Sequence, residues 1–176
     1  LESKWSGGKK QERREWIENP INNQHISGRA ACIGTSYDRD KFDYKVLETH
    51  RGGLLGSKKL QTYGTGEIAS QMRLDFAVDT DINKLVPLID NDYYKNNVVY
   101  TTPRNCLLYP EKFYFIPYMP HLHPSALCPY LAAFDGHQEV FMIGYSKDTP
   151  ISDPSWVNDI TTILNTYKTT RFVFVG

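Results

Sequence analysis

The sequence predicts an α/β fold: a three-layer, Rossmann-like domain with a mostly parallel sheet and helices on both faces. Three observations carry that prediction. Short apolar runs bounded by glycine or charge, at 30–34 (AACIG), 76–78 (FAV) and 140–143 (VFMI), have the length and make-up of strands buried on both faces. Between them lie amphipathic stretches, with Ile82, Leu85, Val86 and Ile89 on one helical face and Trp156, Ile160, Ile163 and Leu164 on another. Strand and helix signals then alternate from about residue 74 to the end, the order that a parallel sheet with crossover helices requires.

Composition narrows the class. A chain of 176 residues with 40% hydrophobic and 23% charged residues suits a single globular domain, taken here as 30–176 behind a polar arm at 1–29. Twenty lysines and arginines balance twenty aspartates and glutamates, so no global field draws the chain to nucleic acid or to an anionic membrane. No apolar run approaches the ~18 residues that span a bilayer, and no signal peptide or N-x-S/T sequon is visible. Cys32, Cys106 and Cys128 are odd in number and lack CxxC spacing, which argues against a disulfide framework or zinc ribbon. A soluble protein in a reducing, cytoplasmic setting is expected. The first residue is Leu1, as in a processed product, a tag scar or a fragment.

Taken in order, residues 9–18 (KKQERREWIE) read as a charged helix ended by Asn19-Pro20, part of a solvated arm or of a contact with a protein partner through 1–29. The strand at 30–34 leads into the small turn Gly34-Thr35-Ser36, where a ligand can approach the backbone. The G-x-G-x-x-G dinucleotide spacing is absent. A second strand is expected at 44–48 (YKVLE), followed by a long loop through His50, Arg51 and several glycines that resembles a phosphate cradle without a P-loop motif. The third strand is 74–78. A helix over 82–95 contains Pro87, and the strand 98–100 ends in Thr101-Thr102-Pro103-Arg104-Asn105. A strand at 113–116 enters a loop bearing His121 and His123. Ser125 is expected to cap a helix to about Phe134, closed by Asp135-Gly136 ahead of the strand at 140–143. Asp153-Pro154 opens the last helix, and 171–175 (RFVFV) is the last strand. The ends at Gly34, Glu48, Asp79, Thr101 and Gly144 would then share one rim, where open α/β sheets bind ligands.

On that rim, Asp79-Thr80-Asp81 resembles the D-x-D motif of nucleotide-sugar glycosyltransferases. In that motif a divalent cation, Mn or Mg, bridges the carboxylates to the donor diphosphate and stabilises the departing nucleotide. The same spelling also serves as a helix cap, with Asp81 accepting N–H bonds from the turn that starts at Ile82. Both readings stand at this stage.

The order of the Gly34-Thr35-Ser36 turn, LDFAVDTD, VVYTTPRN and HPSALCPYLAAFDGHQEVFMIGYS is similar to bacterial lipooligosaccharide sialyltransferases and motility-accessory glycosyltransferases. That resemblance implies a nucleotide or nucleotide-sugar ligand. It sets Gly34, Thr35 and Ser36 near donor phosphates, and Thr101, Thr102 and Asn105 beside the nucleotide or acceptor. It makes His123 a candidate acid or base, with Asp79 and Asp81 as metal ligands. His50, Arg51 and Arg104 are further anion contacts on their chemistry. The competing expectation is a non-catalytic interaction or assembly protein on the same scaffold, for example a component of a viral or other multi-chain complex, since this architecture hosts many functions.

Overall fold

The computed structural model describes residues 3–6, 9–12, 28–50, 60–146 and 156–176. Its centre is a seven-stranded sheet, parallel throughout: β3 (Arg29–Ile33), β4 (Gln61–Thr65), β5 (Phe76–Val78), β6 (Val98–Thr101), β7 (Tyr114–Phe115), β8 (Glu139–Ile143) and β9 (Arg171–Val175). The spatial order is β7-β6-β5-β4-β3-β8-β9. The chain therefore walks outward from β3 to one edge, returns to the other side of β3 at β8, and reverses direction across the sheet between those two strands.

Alternating side chains of β3 divide the core into two layers. Ala30 and Cys32 face α5 (Pro124–Phe134) and α6 (Trp156–Thr166). Ala31 and Ile33 face α1 (Lys45–His50), α2 (Gly66–Gln71), α3 (Ile82–Asp90) and α4 (Pro103–Leu108). Helices thus cover both faces, as three layers require. Cys32 and Cys128 are buried apolar members of the first layer. Among the described residues no helix is long and apolar enough to cross a membrane.

Four local readings are corrected. The expected strand at 44–48 is instead α1, because Asp43 caps the turn: its Oδ1 accepts Lys45 N–H at 3.1 Å and its carbonyl accepts Val46 N–H. Glu48 accordingly does not end a strand at the rim. The stretch read as one long loop contains β4, a fully buried strand in the middle of the sheet. Its sequence QTYGT lacks the aliphatic run that signals a strand; the Gln61 amide is buried without a partner among the described residues, while Thr62 is met inside the fold. Thr62 donates its N–H and its hydroxyl to Asp75 Oδ2, both at 2.9 Å.

Residues expected to begin a helix at Lys9 form β2 (Lys9–Glu12), antiparallel to β1 (Ser3–Ser6). Gly7-Gly8 separates the two in sequence, a pair that tight hairpins favour. Residues 13–18 of that expected helix lie outside the described residues, as do Arg51, the glycines that follow it and the Asp153-Pro154 start of the last helix. Finally, the cap of α5 is His123 rather than Ser125.

Candidate functional site

Two groups of residues occupy the carboxyl-end rim of the sheet. The first lies at the reversal between β3 and β8. Gly34 N–H donates to Ile143 O at 2.7 Å, Ser36 N–H to Gly144 O at 3.0 Å, and Ser36 Oγ to Ser146 O at 3.0 Å. The two strand ends are pressed together so closely that a Cβ on Gly34 would stand 2.4 Å from Gly144 O and 2.9 Å from the Tyr145 ring. Gly34 is therefore required by strand packing. Gly144 has a φ of +74°, which a side chain would strain, and a Cβ there would also meet Arg39. Thr35 is the half-buried outward residue of this turn, whereas Ser36 is buried.

From β8 the chain passes beneath α5. Tyr145 donates its hydroxyl to Ser125 O at 2.6 Å and meets Trp156 edge-on, with ring centroids 5.4 Å apart. Ser125 Oγ and Trp156 Nε1 are both buried here without a hydrogen-bond partner among the described residues. Such groups cost free energy unless something polar completes them. Arg39 borders the same turn, its Nη1 donating to Gly34 O at 3.4 Å.

His123 stands at the head of α5, half-buried. Its Nδ1 accepts the N–H of Ser125 at 3.1 Å, and its own N–H donates to Asp159 Oδ2 of α6 at 2.7 Å. An imidazole that accepts through Nδ1 carries its neutral-state proton on Nε2. In that tautomer the side chain is a hydrogen-bond donor, suited to an anion contact and not to general-base work. His121 is exposed in the preceding loop.

The second group lies at the ends of β5 and β6. Asp79 is only 4% exposed. One carboxylate oxygen accepts Gly66 N–H at the head of α2 (3.1 Å), and the other accepts Asp81 N–H (3.0 Å). Asp81 in turn caps α3 by accepting Asn83 N–H at 2.9 Å. Burial raises the Asp79 pKa, and backbone N–H bonds from Asp81, Gly66 and Thr80 oppose the rise. Asn105 ties this group to β6, its Nδ2 donating to Thr80 O at 3.1 Å and to Thr101 Oγ1 at 2.9 Å, while Thr102 Oγ1 accepts Asn105 N–H. Thr101, Thr102 and Asn105 are thus occupied with one another, and Arg104 is exposed.

The D-x-D spelling is therefore a pair of linked helix caps. The carboxylates do not fit a cation well, since a metal at Asp79 would displace bonds that close two helix starts. Among the described residues no cluster of three or more His, Cys, Asp or Glu could hold a metal ion. The two groups also stand apart: β5 and β3 are separated by one strand, about 10 Å at normal sheet spacing.

The sequence reading missed Arg39, Ser125 as an unpartnered hydroxyl, Tyr145 and Trp156. None carries a motif. The one available signal was position, since Tyr145 follows a buried strand at the reversal of the sheet. No protein-family model matches this chain, and a search of curated proteins returns no match.

Proposed function

We propose that this chain is a nucleotide- or nucleotide-sugar-binding, glycosyltransferase-like domain whose ligand phosphates sit at the reversal between β3 and β8. One observation supports this reading above the others: two buried polar groups without partners among the described residues, Ser125 Oγ and Trp156 Nε1, lie where the loops after β3 and β8 leave for opposite faces. The positive end of the α5 dipole, the Arg39 guanidinium and the Gly34-Thr35-Ser36 turn adjoin them, a setting that favours an anion. His123 would donate to a phosphate oxygen through Nε2. No step is routed through a cation.

Thermal shift against nucleoside mono- and diphosphates and their sugar conjugates, with and without Mn²⁺, tests the reading. A ligand that binds only the folded state raises the melting temperature. The rise is expected without Mn²⁺ and should be lost in Arg39→Ala and Ser125→Ala, both of which should still fold. A flat response across the panel overturns it.

A second reading, an assembly protein, is favoured by a different place. Leu107, Leu108, Tyr114, Phe115 and Tyr118, on and beside the edge strand β7, are 46% to 82% exposed. An apolar sheet edge of that kind promotes association, and a chain of zero net charge does not oppose it. Under this reading light scattering finds an oligomer that Leu107→Lys with Phe115→Lys dissociates, or that removal of residues 1–29 dissociates if the arm is the contact.

A further inference from the structure

We propose that Asp135, Tyr63 and His137 form a pH-gated latch that fastens the C-terminal end of α5 to β4. The three meet at the end of the sheet opposite the rim. Tyr63 O–H donates to Asp135 Oδ2 at 2.6 Å, and the same hydroxyl lies 3.1 Å from His137 Nε2. An ionised carboxylate only accepts, so the single tyrosine proton goes to Asp135 and His137 donates to the Tyr63 oxygen. Once Asp135 takes a proton, the chain can run the other way: Asp135 O–H to Tyr63, and Tyr63 O–H to Nε2. The ring edge of His137 against Tyr63, 5.7 Å between centroids, holds the three in line through either state.

The two states differ in cost. Asp135 and His137 are 4% and 1% exposed. Asp135 also caps the C-terminus of α5, where the helix dipole presents its negative end. Its charge reaches the hydroxyls of Tyr63 on β4, Tyr100 on β6, Tyr130 on α5 and Tyr167 after α6. Burial pushes the Asp135 carboxyl up to about 7, opposed by its bond from Tyr63.

The sign follows from linkage. A carboxyl whose folded pKa is raised binds its proton more tightly in the folded chain. It therefore adds stability that is complete below the ordinary carboxylate range and is lost as pH rises to about 7, with no further change above. The latch is closed in mild acid and weakened at neutral pH. What it releases is the turn between α5 and β8, which holds Gly136 at a φ of +92° and is also tied by Asp135 N–H to Leu131 O, Gly136 N–H to Ala133 O, His137 N–H to Ala132 O, and the N–H groups of Gln138 and Glu139 to Gly28 O.

The test compares melting temperature from pH 5 to pH 8 for the full chain and for Asp135→Asn, which keeps an acceptor for Tyr63 but cannot ionise. The wild type is expected to lose roughly 5 °C or more relative to the variant across that range. Parallel curves overturn the proposal. If Asp135→Asn fails to fold, amide exchange on the wild type decides. After correction for intrinsic rates, protection at 132–138 should fall between pH 5 and pH 8 while protection in β3 and β8 holds. Uniform protection sinks it.

Discussion

Asp79 and Asp135 are equally shielded from solvent, each 4% exposed, yet they behave as different groups. Asp79 ends β5 and is met by two backbone N–H groups, one at the head of α2 and one in the turn that opens α3. Asp135 ends α5 and receives one tyrosine hydroxyl, on the side of a helix that repels negative charge. Burial raises both carboxyls. At Asp79 several N–H bonds oppose the rise, whereas at Asp135 one bond opposes it and the group reaches about 7. The number and kind of donors, together with how deeply the carboxyl is packed, decide whether a buried carboxylate anchors a fold or makes it sensitive to pH.

Removing Asp79 should give the largest effect of the three positions that probe this contrast. Asp79→Ala leaves one buried N–H group, of Gly66, and one partly buried, of Asp81, without acceptors, and urea unfolding at neutral pH should show a loss of about 2–3 kcal/mol. Asp79→Asn keeps one acceptor and should lose about half as much. A loss that appears only when Mn²⁺ is present would return Asp79 to the role of metal ligand.

Tyr63→Phe comes next. It strips the carboxylate of its donor and should cost about 1–2 kcal/mol at pH 8, with less at pH 5, where Asp135 is neutral. Equal losses at the two pH values would mean that the hydroxyl matters for packing and not for the charge. Asp81→Ala is the smallest. This exposed cap accepts one bond from Asn83 N–H, and its removal should cost about 1 kcal/mol in urea unfolding.

Most of the α/β architecture was legible in the residues. The runs AACIG and VFMI are apolar because both faces of β3 and β8 are covered; of the helical face read at Ile82, Leu85, Val86 and Ile89, Leu85 is buried in α3, together with Leu88, which that reading left out. Where the reading failed, local signals were weak or misleading. Val46 and Leu47 suggested a strand, but Asp43 nucleates a helical turn there. QTYGT suggested a loop because it has no aliphatic run, and the partners of Thr62 and Tyr63 lie distant in sequence. The same limit applied to the site. Asp79-Thr80-Asp81 spells both a metal motif and a pair of caps, and only the neighbouring N–H groups of Gly66 and Asp81 separate the two.

By itself the sequence determined the layering, because hydrophobic period and strand length are written along the chain and act over a few residues. Tertiary structure alone decided which polar groups found partners: that Asp79 closes helices, that Ser125 and Trp156 have no partner among the described residues beside the reversal of the sheet, and that Tyr63 reaches Asp135 across 72 positions. Hydrogen-bond satisfaction depends on angles and distances between remote segments, and those are fixed only when the layers close.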